Sequence, residues 1–432
     1  MATVNSLGND PGPISAVLGQ DPQALQCPFG HYAEQRRTAP VAHDAEHDVY
    51  VVTRHDDIVS VLKRPDLFSN RNPMGPSVEK AFGVVQSALE GASPDFIERV
   101  RVAMSHGDVL FTQDPPVHGR HRRVLGKSIT PSSVARLEPV IRRLCNDLVD
   151  AFIADGEADL VPAFIAPFPI QVLSTMLGVP VEMHRDFARW AHAINSHVGA
   201  DVRRAELMAT LEDQVEFWAY FEQALADRKE SPRDDLLTAV VQARNEGEEP
   251  LTLNEMVGFC AQLVAAGADT TTKLISSFAL MLLRDPELMR LLRADQALLP
   301  DAIEEALRLE SPIQGLFRIA TSDTELHGVK IPAGAYVWLV YGAANRDDEV
   351  FTNPDQFDST RPELRSHLAL GKGIHACLGA PLARVEARIA FEVIFSRFEE
   401  IRLADQDFEP AYDAGYITRG IESLPVVFTA KD

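Results

Sequence analysis

Apolar residues recur at helical spacing through most of the chain between Pro116 and Leu309. That period predicts helices over 131–154, 170–177, 182–198, 201–228, 233–245 and 252–283, then shorter ones over 285–294 and 300–309. Thr252 is the N-cap candidate for the longest of them. Outside this block the pattern changes. Residues 48–53 alternate as a strand does, and 56–63 read as a short helix with Asp56 or Asp57 near its start. Short strands follow over Thr324–Leu326, Val329–Ile331 and Tyr336–Tyr341, the last after the turn at Pro332 to Gly334. Residues 68–114 read as irregular, with one candidate extra helix over Ser93–Met104, and residues 1–25, rich in Gly, Pro and Asp, read as loosely ordered. There is no internal repeat and no alternation of strand and helix. Long helices with few short strands define a mainly α fold with a minor β region.

The chain has 432 residues, 46% of them hydrophobic and 24% charged, enough for a substantial core. Its net charge of −22 argues against nucleic acid or an anionic membrane as a partner, since both need a basic footprint. The cysteines Cys27, Cys145, Cys260 and Cys377 are too scattered for a disulfide framework or a zinc cluster. The N-terminal segment lacks the basic and apolar runs of a signal peptide or anchor, so a soluble, cytoplasmic protein is expected. Val257–Leu283 approaches the length needed to cross a bilayer, but it contains Asp269, three consecutive threonines and Lys273. A helix buried through a soluble protein accounts for it better.

The most informative stretch runs from Leu370 to Arg384 and places Cys377 in a glycine-rich loop at the mouth of a helix. Gly371 and Gly373 can adopt backbone angles that other residues resist. Gly379 would let the backbone pass close to the sulfur, and Pro381 suits a first helical turn. Leu378, Leu382, Val385, Ile389 and Val393 then recur as on a buried helix. A thiol placed there is favoured as the thiolate by backbone N–H groups and the helix dipole, as an axial iron ligand must be. Taken alone, a cysteine is more often a buried core residue; its glycines, His375 and the helix reverse that reading.

The segment resembles the haem-binding loop of the cytochrome P450 family, Phe-Gly-x-Gly-x-His-x-Cys-x-Gly, with Leu370 in place of the phenylalanine. The resemblance implies one large triangular domain over 26–432, haem b held at Gly371, His375 and Gly379 with Cys377 as the iron ligand, and activation of O₂. The run Ala266-Gly-Ala-Asp269-Thr270-Thr271 is similar to the family's oxygen-binding motif. By that likeness Ala266 lies beside the haem, while Asp269 and Thr270 handle the protons that O–O cleavage consumes. His118, Arg122, Arg318 and His375 match the family's propionate contacts. Glu305 and Arg308, an ordinary i,i+3 pair when read alone, match with Arg361 a buried structural lock.

With no flavin domain and no ferredoxin-like cysteine cluster, electrons from NAD(P)H are expected through an iron–sulfur ferredoxin or flavodoxin and a flavoprotein reductase. Arg120, Arg123, Lys127 and Lys372 are candidates for a local docking patch, or ordinary solvated charges. Phe82, Val85, Leu89, Met104, Leu110 and Phe111 are candidates for an apolar lid. In the family, segments matching Ile313, Gln314, Leu316 and Phe317, and the turn Tyr416-Ile417-Thr418, face the substrate. Gln314 and Thr418 are the candidates to orient one polar group. The implied substrate is small and mainly apolar, a terpene, steroid, fatty acid or substituted aromatic. The expected activity is hydroxylation, epoxidation or oxidative dealkylation by a monomer. A peroxide-using enzyme of the same fold, a non-catalytic haem-thiolate sensor or carrier, and a haem-free helical binding protein are the alternatives.

Overall fold

The computed structural model describes residues 13–104, 109–127, 129–195, 204–244, 247 and 249–431. Two compact units share the chain. One contains Met1–Ser69, Ala135–Phe168 and Thr270–Asp432; the other contains Asn70–Val134 and Pro169–Asp269.

The first unit holds a five-stranded sheet ordered Val41–Asp44, Val49–Val52, Tyr336–Leu339, Leu316–Ala320, Phe68–Ser69. Val49–Val52 pairs antiparallel with Val41–Asp44 but parallel with Tyr336–Leu339, which pairs antiparallel with Leu316–Ala320. Val52, Ile58, Leu62, Phe68, Val337 and Leu339 close its core. Thr324–Leu326 and Val329–Ile331 form a hairpin whose turn residues His327 and Gly328 both have positive φ, as a two-residue turn matching strand twist requires. A second sheet places Pro425–Ala430 between Glu157–Asp159 and Phe398–Leu403, packed by Phe152, Phe398 and Phe428. The helices Leu299–Glu310 and Ala380–Arg397 complete this unit's framework.

In the second unit, Arg204–Glu230 is the central helix. Val85, Ala88 and Val100 pack against its Leu207, Leu211 and Val215. Its Phe217, Tyr220 and Phe221 form an aromatic cluster with Trp190. The side chains Val85, Ala88 and Val100 belong to helices Ser77–Ala88 and Pro94–Met104. The second corresponds to the expected extra helix; the first lies in a stretch expected to be irregular. Gly83 lowers intrinsic helix propensity there by about 1 kcal/mol, and no side chain caps the start. Apolar burial against Arg204–Glu230 overrides both.

Other differences follow the same logic. Residues 13–25, expected to be loose, form the short helices Ile14–Leu18 and Pro22–Gln26, the latter capped by Asp21; residues 1–12 of that expectation lie outside the described residues. The 233–245 helix contracts to Leu236–Gln242, because Asp235 caps it by accepting from Thr238 N–H.

The longest helix, Leu253–Arg284, contributes residues to both units, the division falling between Asp269 and Thr270. Thr252 caps it as expected. Its hydroxyl accepts from Glu255 N–H at 3.2 Å, while the Glu255 carboxylate accepts from Thr252 N–H at 2.8 Å, a reciprocal capping box. Among the described residues no helix is long and apolar enough to cross a membrane.

Candidate active site

The cysteine loop is shaped by backbone geometry. Gly371 and Gly373 have φ of +65° and +72°. A Cβ on Gly373 would meet the Leu62 carbonyl oxygen at 2.8 Å, so that position admits only glycine without displacement. Cys377 N–H donates to Leu370 O at 2.8 Å and closes the loop two residues before the helix cap Gly379. Gly379 lies beside the sulfur, but the approach does not require glycine: its φ is −78°, and a Cβ there would sit 3.9 Å from Cys377 Sγ, an ordinary contact.

Cys377 is exposed, whereas Cys145 and Cys260 are buried and burial pushes their thiols far up. Arg384, one turn into the helix, is held above its usual value by Glu304 and, to a lesser degree, by Cys377. An accessible sulfur at a helix N-terminus with a guanidinium nearby suits a thiolate. Among the described residues no group of three or more His, Cys, Asp or Glu side chains is placed to hold a metal ion. A metal bound through Cys377 would therefore need its other ligands from a cofactor, and a haem held by the Cys377 thiolate would fit that donor set.

Behind the loop lies a buried charge network. Arg308 donates to both carboxylate oxygens of Glu305 at 2.8 Å, and neither residue is exposed. Arg361 adds a second guanidinium at 3.1 Å, and Asp358 N–H donates to the same carboxylate at 2.8 Å. Arg308 and Arg361 also donate to the carbonyls of Asn345, Pro354, Gln356 and Thr352. The three residues expected to form a lock are thus brought together.

No sequence signal singles out the neighbouring Glu304. It accepts from Arg384 and pairs with His367, joining the Leu299–Glu310 helix to the cysteine helix. Burial opposes its ionisation, but the Arg384 and His367 hydrogen bonds outweigh burial and bring it to about 2. Arg318 is buried in the sheet, donates to Phe317 O at 2.7 Å and bonds the Tyr341 hydroxyl. His375 is half-buried in the cysteine loop.

On the long helix, Ala266, Asp269 and Thr270 share one face, and all three retain solvent access along a largely buried helix. The helix runs through this point as continuous α-helix. Gly267 faces the other way, where a Cβ would press on Leu173 at 3.0 Å, so its small size serves packing. Next to Thr271 sits Glu386, a fully buried carboxyl without a sequence signal. Burial raises it well above the usual carboxyl range, against a hydrogen bond with Thr271.

In the second unit His118 and Arg122 lie one turn apart on the helix Val117–Leu125, His118 buried and Arg122 half-buried. Burial, and then the Arg122 charge, lower the His118 pKa. His121, another residue without a sequence signal, accepts from Leu110 N–H at 3.1 Å and contacts Glu255 at 2.9 Å, anchoring Leu110 at its positive φ. Arg120 is paired with Glu255, which cancels it as a docking charge; Arg123, Lys127 and Lys372 are exposed.

The pocket candidates divide. Val85, Leu89 and Met104 belong to the seam on Arg204–Glu230, Leu110 is buried and Phe111 half-buried. The Phe82 side chain lies outside the described residues. Phe317 is fully buried, stacked on Trp338 with Tyr336 and Tyr416 at its edges. Ile313 and Leu316 are half-buried and Ile417 is buried. The Gln314 amide nitrogen donates to Glu310 O and Ser311 O while its Oε1 is buried without a partner, and the Thr418 hydroxyl accepts from Lys273.

A mainly helical fold with small sheets, and a reachable cysteine ahead of a buried helix, describe a haem-thiolate protein. The family model for cytochrome P450 matches residues 74–422. Cytochrome P450 CYP107DY1 of Priestia megaterium is 38% identical over 379 residues, 88% of this chain and 89% of that protein. The 6-deoxyerythronolide B hydroxylase of Saccharopolyspora erythraea is 33% identical, covering 91% of this chain and 94% of that protein. The solved structure of CYP109Q5 from Chondromyces apiculatus matches with a TM-score of 0.82 and 33% identity, over 95% of this chain and 98% of that one. That of CYP109E1 from Bacillus megaterium in complex with corticosterone matches with a TM-score of 0.80 and 32% identity, over 94% and 99%. The chain belongs to the cytochrome P450 family and is a haem-dependent monooxygenase.

Proposed function

We propose that this enzyme inserts one oxygen atom of O₂ into a small, mainly apolar molecule, using electrons from NAD(P)H. The carrying observation is the exposed Cys377 sulfur, set by glycine geometry at the start of the Ala380–Arg397 helix. Bound through that sulfur, haem supplies the redox chemistry by which O₂ is activated, the thiolate favouring O–O cleavage. His118, Arg122, Arg318 and His375 are the donors for its propionates. Gly371 and Gly373 shape the loop, and the Glu305–Arg308–Arg361 lock holds the segment that leads into it.

Two residues manage protons. The Asp269 carboxyl would take a proton from solvent and pass it to the neighbouring Thr270 hydroxyl, which would hold it toward the haem side of the helix; their common accessible face supports this relay. The electron donor is a ferredoxin or flavodoxin reduced by a flavoprotein, steered by Arg123, Lys127 and Lys372. The apolar residues around Ile313, Leu316 and Ile417 support an apolar substrate, as do the hydroxylase and steroid-complex relatives. A soluble, cytoplasmic monomer is part of this reading.

The test is coupling. With ferredoxin, reductase and NADH, holoprotein is screened against steroids, terpenes, fatty acids and benzoates for a low- to high-spin Soret shift, and turnover is measured with the best binder. Thr270→Ala is expected to keep consuming NADH while most electron flow appears as hydrogen peroxide. Unchanged coupling removes Thr270 from the relay, and efficient turnover with peroxide alone replaces the monooxygenase reading with a peroxygenase one.

A further inference from the structure

The long helix carries a lysine where an apolar residue would be expected. Lys273 lies three positions after Thr270 and is 7% exposed. A buried ammonium is tolerated only with partners, and it has two. Its Nζ lies 3.0 Å from Asp413 Oδ2 and donates to Thr418 Oγ1 at 3.0 Å.

Both partners sit on one closed hairpin. Tyr412 bridges Ile421, and Asp413 N–H donates to Gly420 O at 3.1 Å. The lysine stem crosses this hairpin at Gly420, where a Cβ would overlap Lys273 Cβ and Cγ. On its other side the hairpin is laced to the segment after the Leu299–Glu310 helix. Ile313 bridges Thr418, Gln314 N–H donates to Ile417 O at 2.7 Å, and Arg419 N–H donates to Pro312 O at 3.0 Å. The Tyr416–Thr418 turn is therefore held between residues 312–314 and the long helix, and Lys273 makes the helix side of that grip. Because Lys273 and Thr270 are one helical turn apart, the length of this grip fixes how far the turn stands from Thr270.

We propose that Lys273 is a positioning residue: through Asp413 and Thr418 it fixes the Tyr416–Thr418 turn one helical turn beyond Thr270, and so sets how bulky an apolar molecule can be held beside that threonine. This rests on the haem-thiolate reading above. An isolated surface pair would not do this, being weak and replaceable by water; a buried pair with a hydroxyl partner has no such substitute.

The experiment compares holoprotein with Lys273→Met, with the double variant Lys273→Met/Asp413→Asn, and with Thr418→Val. Two iron-ligating probes, imidazole and 4-phenylimidazole, are titrated by their Soret shifts. The double variant leaves no unpaired buried carboxylate, so it serves if the single variant fails to fold. Expected are an unchanged reduced carbon monoxide spectrum, imidazole affinity within about twofold, and 4-phenylimidazole affinity lower by about tenfold; Thr418→Val moves the larger probe less. If both probes shift together, or neither shifts, Lys273 serves stability alone and the proposal is overturned. If the unsubstituted protein gives no red-shifted carbon monoxide band, the haem-thiolate reading itself fails, and the proposal with it.

Discussion

Arg308 meets Glu305 through two parallel 2.8 Å hydrogen bonds in a place from which water is excluded, and Arg361 closes the same carboxylate from a segment more than fifty positions away. Every remaining donor of the two guanidinium groups that the structure pairs goes to a backbone carbonyl. The arrangement ties the Leu299–Glu310 helix to the chain leading into the cysteine loop.

Removing one member leaves buried charge without compensation. Glu305→Gln is expected to cost about 3–5 kcal/mol, seen as a lower urea midpoint and a smaller fraction of haem-loaded protein. A midpoint equal to that of the unsubstituted chain would show the lock to be dispensable.

Cys377 is exposed and buries little surface, so Cys377→Ser should leave the unfolding free energy measured in urea within about 1 kcal/mol of its original value. The reduced carbon monoxide band of any haem that binds should lose its red shift. A retained red shift would exclude Cys377 as the ligand.

Two glycines of the same loop should respond differently. Gly373→Ala forces a Cβ against Leu62 O at a φ of +72°, so a loss of about 1–3 kcal/mol and reduced haem retention are expected. Gly379→Ala adds a methyl at ordinary distance from the sulfur and should be nearly silent in both measurements. Equal effects would contradict the loop geometry.

Glu386 gives a pH dependence with a definite sign. Its folded pKa is raised above the unfolded value, chiefly by burial. Its contribution to stability is thus complete below the unfolded pKa near 4.5 and is lost as pH rises toward the folded value, at about 1.4 kcal/mol per pH unit. Glu386→Gln should therefore gain on the parent as pH rises above the unfolded pKa. A thermal-melt difference that is flat over that range would mean the carboxyl is already ionised when folded.

What sequence made legible was whatever chemistry wrote locally. The cysteine loop announced itself because glycines, a proline and helical periodicity stand within fifteen positions, and the capping box at Thr252 and Glu255 is a three-residue signal. The helix Ser77–Ala88 was not legible, since Gly83 interrupts it, Pro76 offers no side-chain cap, and the surface it packs on lies more than a hundred residues later. Lys273 was visible as an oddity in an apolar helix, but its partners Asp413 and Thr418 carry no mark in the sequence that points back to it. Gln314 and Thr418 were legible as polar residues but not by their partners: backbone carbonyls take the Gln314 amide N–H groups and Lys273 takes the Thr418 hydroxyl, while Gln314 Oε1 is buried without a partner.

The Arg204–Glu230 helix is clasped along two sides, by Val85, Ala88 and Val100 on one seam and by Trp190 through the Phe217–Tyr220–Phe221 cluster on another. A rod gripped in that way cannot slip lengthwise without breaking both seams at once, since side chains in such packing interlock. Any rearrangement of it must carry Ser77–Ala88, Pro94–Met104 and His184–Asn195 along as one piece. These four helices are thereby built to open together rather than fray one by one, and amide exchange in those four segments should share a single opening rate.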